Sequence, residues 1–356
     1  MPIIETGGIG KNFIIISNYF SQKLKDVTIV TATNSFKYKF SKKLIFISQN
    51  FINLKKFPRR IIFLIGLILL AKELLKNRNS IVFCFQANLY CIYLCKLLNV
   101  KVIARSGSSP TGWPKNPIKR MIYKNGYSLA NELIVNSKES KSLIRKIFKL
   151  NTTQIYNPLN TNEIYKLSKK KIKFNFFDKV SFNFIYVARL ENEKDHFTLL
   201  NAFLKIKNKI NFKLLLIGDG KNKKEIKSFI IQNNLEKNIM LLSNIDNPYP
   251  YIKKSKIVLL TSLYEGLPNI LLEGIFFKKL IISSICSTGP KEILDSGKGG
   301  LLFKKGNVND LIKKLISLKK NNFTYKVNFA HKRLLRFDYK ANLNKYMKIV
   351  NKQLIQ

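Results

Sequence analysis

Two carboxylates and two cations stand at spacings that suit chemistry on an anionic ligand. Glu265 and Glu273, with seven residues between them, bracket the start of a helix in the stretch 256–279. An apolar, β-branched run from Ile257 to Leu260 has strand length, Thr261 and Ser262 break it, and Pro268 suits the first turn of a helix. Glu265 is therefore expected in a loop at the C-terminal end of a strand, where open α/β sheets place ligands. Glu273 falls about five residues into the helix, so its direction is set relative to Pro268. The helix start itself favours anionic oxygen. Upstream, Arg189 follows a strand-like run, Phe182–Val187, and Lys194 comes five residues later. Cations at a strand end can offset charge on a leaving group. The plain alternatives are a solvated Glu265, a helical Glu273 paired with Lys278 or Lys279, and two surface cations in a chain with 64 Lys+Arg.

The elements that position these residues repeat along the chain. Strand-like runs at Val27–Ala32, Leu44–Ser48, Ile81–Phe85, Val100–Ala104, Glu132–Asn136 and Gln154–Tyr156 alternate with helical stretches. That alternation predicts a doubly wound parallel sheet. Ser137 suits a helix N-cap, with Glu139 in the first turn. The pattern restarts at Phe182, and 356 residues exceed a usual single core. The boundary is placed near 160, at IYNPLN, giving domains 1–160 and 161–335 and a basic terminal helix in 336–356. GGIGK at 7–11 and Gly-Asp-Gly at 218–220 are glycine turns that let backbone approach a phosphate, or plain turns.

Composition narrows the partners. A net charge of +44 points to polyanions, and no nucleic-acid-binding motif accompanies it, so a membrane surface and phosphates are favoured. Cys84, Cys91, Cys95 and Cys286 include no CxxC pair; Cys91 and Cys95 suit a buried helix face, and the setting is expected to be reducing. No signal peptide is visible. The apolar run Ile61 to Ala71 is shorter than the ~20 residues a bilayer span needs, and is expected to be a buried helix of the first domain, with rest in a membrane interface as the alternative. His196 and His331 are the only histidines, and no Asp-x-Asp occurs.

The segment SLYEGLPNILLEG resembles the signature of retaining glycosyltransferases of family 4. The resemblance implies an α/β fold of the GT-B class, with two Rossmann-like doubly wound domains facing a cleft and a C-terminal helix crossing back to the first. It implies that Glu265 contacts the transferred sugar, that Glu273 holds the nucleotide ribose, and that the backbone of Gly266, Leu267, Pro268 and Asn269 faces the sugar and β-phosphate. By the same resemblance Arg189 and Lys194 grip the donor diphosphate, while Gly8, Gly10 and Gly218 belong to loops near the nucleotide. Asn244 and Ile245 lie where family members meet the base. Only MPIIET precedes the first glycine loop, where the family has a complete strand, so the first strand is expected to be short or missing. Arg105-Ser106 stands where many members have a histidine; Arg105 is expected either to touch an acceptor phosphate or to pair at the sheet edge. Trp113 shapes an acceptor mouth or membrane contact, or simply packs.

The function implied is transfer of a hexose or N-acetylhexosamine from a nucleotide sugar, UDP-linked, to a lipid-linked or polysaccharide acceptor in bacterial envelope synthesis. NPYPYIKKS at 247–255 and STGPKEIL carry the closer likeness to N-acetylgalactosaminyltransferases. No cofactor and no metal are expected. The expected partners are the nucleotide sugar, the acceptor and an anionic membrane surface, and the expected place is the cytoplasmic face of the plasma membrane. Three alternatives stay open: a GT-B-shaped sugar-nucleotide epimerase, which the shortage of histidines disfavours, a basic nucleic-acid-binding protein, and a transferase left inactive by its short N-terminus.

Overall fold

The strand-length apolar runs form parallel strands, because residues that are apolar on both faces are stable only between two helical layers. A computed structural model describes residues 1–4, 7–34, 36–49, 57–107 and 116–355. Contacts divide the chain into a first unit, 1–158 with 339–356, and a second unit, 159–338.

In the first unit, β1 (Thr28–Val30) pairs with β2 (Ile45–Ile47). A separate four-stranded sheet has the order β3 (Ile81–Cys84), β4 (Lys101–Ser106), β5 (Glu132–Val135), β6 (Thr153–Gln154). The helices are α1 (Gly8–Lys23), α2 (Arg59–Lys76), α3 (Asn88–Leu97), α4 (Pro117–Ser128) and α5 (Lys138–Phe148). Residues 1–4 form no strand; instead the Pro2 carbonyl accepts from Ala32 N at 2.9 Å, and Ile3 N donates to Gln86 Oε1 at 3.2 Å. Ser137 caps α5 as the sequence suggests, its hydroxyl accepting from Ser140 N. All four cysteines are free and buried.

One expectation fails here. The run Ile61–Ala71 is helical within α2, but that helix buries only Ile62, Gly66 and Leu74. Leu64 and Ile68 point outward, 57% and 48% exposed. An unbroken apolar run has no periodicity to say which side faces the core; the sheet covers one side only.

The second unit holds α6 (Thr161–Ser168), then β7 (Phe182–Val187), α7 (His196–Ile206), β8 (Phe212–Ile217), α8 (Lys223–Gln232) and β9 (Ile239–Leu242). Next come α9 (Tyr249–Lys254), β10 (Ile257–Leu260), α10 (Asn269–Phe276), β11 (Leu280–Ser284), α11 (Pro290–Ile293), β12 (Leu301–Phe303), α12 (Val308–Ser317) and α13 (Thr324–Lys332). The six parallel strands run in the order β12-β11-β10-β7-β8-β9. The order in which strands are added therefore switches sides between β7 and β10, a parallel pair whose register sets Ile257 against Phe184. Phe184, Phe203 and Phe212 stack edge-on beneath the sheet at 5.0 and 4.7 Å. Each such buried aromatic contributes about 1.5–3 kcal/mol relative to exposure.

The last helix, α14 (Tyr339–Ile355), belongs to the first unit, where Leu343, Tyr346 and Val350 join one core with Phe13, Ile16 and Phe20 of α1. The two chain crossings are neighbours: Leu159 N donates to Phe337 O at 3.0 Å.

Candidate functional site

Parallel strands deliver all their following loops to one edge, so the order of the second sheet decides which residues meet. The loops after β7 and β10 flank the point where strand order reverses, the place such sheets open a crevice. The first loop carries Arg189 and Lys194, the second Glu265. Lys194 Nζ lies 2.6 Å from Glu265 Oε1, with side chains only 16% and 12% exposed. Ser262 Oγ donates to the same oxygen at 2.7 Å.

The backbone of Lys194 is itself held. The Tyr186 hydroxyl donates to its carbonyl, and Thr261 Oγ1 donates to the same carbonyl at 3.0 Å and to that of Asp195 at 2.8 Å. Asp195 adopts φ +48°, and its carboxylate accepts from Thr198 N at 3.2 Å, capping α7. The Glu265 loop is stitched to the turn after β11: Glu265 N donates to Ser287 O at 3.1 Å, and Thr288 N donates back to Glu265 O at 2.9 Å. Gly289, at φ +96°, sits so close that an added Cβ would come 2.5 Å from Gly266 O.

Arg189 is more open, 44% exposed, and pairs with Glu193 at 2.8 Å. Glu273 lies in the second turn of α10, buried, where Tyr249 Oη donates to its Oε1 at 3.4 Å. Pro268 occupies the cap position of α10 and offers no side-chain cap. Gly266, Leu267 and Pro268 are buried, whereas Asn269 is half-buried. Gly218 follows β8 directly and packs against the loop after β7, and Leu190 N donates to Asp219 O at 2.8 Å between the same two loops. Asn244, exposed at φ +59°, and half-buried Ile245 follow β9 at the same sheet edge.

In the first unit, Gly8 and Gly10 form the opening turn of α1, with Gly7 as its cap residue. Arg105 departs from both expectations. It lies on β4, inside the sheet rather than at an edge, and is only 1% exposed. Its Nε donates to Tyr346 Oη at 2.9 Å and its Nη2 to Asn157 Oδ1 at 2.7 Å, with the Phe85 ring beneath. The guanidinium thus ties α14 to the first sheet, and Ser106 beside it is buried. Trp113 lies outside the described residues. Among the described residues, no cluster of three or more His, Cys, Asp or Glu could hold a metal ion. Nor is any described helix long and apolar enough to cross a membrane.

Tyr186, Thr261 and Thr288 are supporting residues that motif spacing does not reveal, since they come from different strands and turns. Ser262 had a visible signal, three residues before Glu265.

Behind Lys194, His196 packs edge-on against Tyr186 at 4.9 Å, and neither ring nitrogen has a partner among the described residues. Burial, then the Lys194 charge, lower the imidazole from 6.5 to about 4. The unfolded chain therefore takes up this proton first. The resulting stability is complete above the unfolded value and is lost as pH falls from about 6.5 toward 4, by at most about 3 kcal/mol. His196→Phe is expected to flatten that part of the stability–pH curve in urea titrations. An unchanged slope would remove His196 as its source.

Residues 168–337 match the family described as Glycosyl transferases group 1, so the second unit is related to that family. An uncharacterized glycosyltransferase of Methanocaldococcus jannaschii, MJ1059, is 34% identical over 49% of this chain and 44% of its own length. The N-acetylgalactosamine-N,N'-diacetylbacillosaminyl-diphospho-undecaprenol 4-alpha-N-acetylgalactosaminyltransferase of Campylobacter jejuni is 27% identical over 53% of this chain and 51% of its own length. The chain thus spans about half the length of these two curated relatives. A glycosyltransferase structure from Rickettsia africae superposes with TM-score 0.80 at 20% identity, covering 100% of this chain and 97% of that one. Anabaena HepE in complex with UDP gives 0.74 at 16% identity, covering 99% and 98%. These likenesses and the two Rossmann-like units place the fold in the GT-B class.

Proposed function

We propose that this chain, related through its second unit to group 1 glycosyl transferases, is a retaining hexosyltransferase of family 4. It moves a hexose or N-acetylhexosamine from a UDP-linked donor to a lipid-linked or polysaccharide acceptor in bacterial envelope glycan synthesis. The observation that carries the reading is the Lys194–Glu265 pair at the switch point of the second sheet, inside the matched region. The UDP bound in HepE and the undecaprenol acceptor in the name of the Campylobacter relative support the donor and acceptor classes.

In the proposed reaction the bond between the sugar's anomeric carbon and the donor phosphate oxygen breaks. The acceptor oxygen bonds to that carbon from the same face, and its proton passes to the departing phosphate oxygen. Arg189 and Lys194 offset the charge growing on the diphosphate, and the positive end of α10 adds to them. Glu265, held in one orientation by Lys194 and Ser262, positions the sugar. Glu273 holds the ribose, and Asn244 and Ile245 meet the base. Gly8 and Gly10 bring backbone amides at the start of α1 to an anionic group. The protein works without a metal, at the cytoplasmic face of an anionic membrane.

Thermal melting with UDP-, GDP- and ADP-sugars, with and without EDTA, tests this. A rise of several degrees with UDP-sugars alone, insensitive to EDTA, is expected. No rise with any of them would overturn the reading, and an EDTA-sensitive rise would overturn its metal-free part.

A further inference from the structure

Three consecutive helices of the first unit are clad on their outer side with large apolar residues. On the inner side, Leu74 of α2, Cys91 and Ile92 of α3, and Tyr127 of α4 share one core with Val102 and Ala104 of β4. The helices are closely laid: a Cβ at Gly126 of α4 would come 2.6 Å from Leu89 of α3. The opposite side carries Leu64 and Ile68 on α2, Tyr90 and Leu97 on α3, and Ile118 and Met121 on α4. Leu97 is 82% exposed and Ile118 66%. Exposed apolar side chains also occur elsewhere, Val180 and Leu335 among them; those of α2, α3 and α4 are gathered on neighbouring helices of one layer, the grouping expected of an interaction surface.

The charges around this layer identify its partner. Arg60, Lys72, Lys119, Arg120 and Lys124 are exposed on the same helices, and Glu73 is the one carboxylate in α2, α3 and α4. Next in the layer, Ile144 and Phe148 of α5 pack with Tyr123 of α4, and Arg145, Lys146 and Lys149 line a shallow hollow on that helix. Exposed apolar side chains and cations on the same helices complement a surface with acyl chains below and phosphates above, the pattern of helices that lie in a membrane interface.

The geometry points to the α2–α3–α4 face as the surface by which the first unit lies on an anionic lipid bilayer, apolar residues entering the headgroup region and the cations meeting lipid phosphates. This deepens the membrane part of the proposed function by naming the face; it does not depend on the chemistry of the second unit.

The test is flotation of the full chain with vesicles of phosphatidylcholine, alone or mixed equally with phosphatidylglycerol. Binding is expected to be at least about tenfold tighter to the mixed vesicles and to weaken with salt. The triple variant Leu64→Ser, Ile68→Ser, Ile118→Ser keeps every cation and changes only exposed side chains. It should bind mixed vesicles about tenfold or more weakly, with an unchanged melting temperature. Equal binding by variant and wild type would overturn the proposal, because diffuse positive charge would then suffice. So would a wild type that ignores both vesicles and instead self-associates through these residues. The thermal response to nucleotide sugars is read separately: its loss alone removes the transferase reading, and loss of vesicle binding alone removes this one.

Discussion

Replacing Glu265 by glutamine is expected to lower turnover by about 10²–10³-fold while leaving UDP binding within a few-fold of wild type. The size follows from the carboxylate's position. Glu265 Oε1 accepts from Lys194 Nζ at 2.6 Å and from Ser262 Oγ at 2.7 Å, so the group is fixed before any ligand arrives. Preorganised polar groups act more strongly where water is excluded, and this pair is largely screened from solvent. The amide keeps shape and can still accept from Ser262, but it loses the charge that holds Lys194. An effect confined to KM, with turnover intact, would make Glu265 a general binding residue and remove its proposed role. Because the change leaves Lys194 without its partner, stability should be measured beside activity. The double variant Glu265→Gln, Lys194→Met then separates lost charge pairing from lost chemistry.

Gly218→Ala is expected to destabilise the second unit by at least ~3 kcal/mol, the largest stability effect anticipated for a single methyl group. The added Cβ would come 1.8 Å from the Ala188 carbonyl oxygen. That oxygen cannot rotate away, since Ala188 N is bonded to Ile217 O and Leu190 N to Asp219 O on either side of it. The loops after β7 and β8 would have to separate, moving Arg189 and Lys194 with them. Gly306→Ala is the control: φ is +68° there but nothing lies within 4 Å, so only the backbone preference, about 1 kcal/mol, is lost. Urea titrations of both variants check this. A Gly218→Ala protein as stable as the Gly306→Ala control would mean that the loops are not interlocked in this way.

The sequence alone determined the strand runs, and with them the parallel α/β class. Periodicity and β-branched composition are local properties that survive without knowledge of neighbours, so Phe182–Val187 and Ile257–Leu260 are strands to the residue. Spacing also marked Glu265, Arg189 and Lys194, because a loop that follows a parallel strand must emerge at the ligand edge. It could not say which of them touch. Lys194 meets Glu265 across 71 positions because β10 pairs with β7, and strand order is a tertiary choice. The same pairing brought Tyr186, Thr261 and Thr288 in as supports for that pair, and in the first unit the order β3-β4-β5-β6 set Arg105 inside its sheet, where the guanidinium donates to Tyr346 and Asn157. Helix α2 shows the complementary limit: an apolar run fixes that a helix has somewhere to be buried, and only the layer laid over the sheet decided that half of it faces outward.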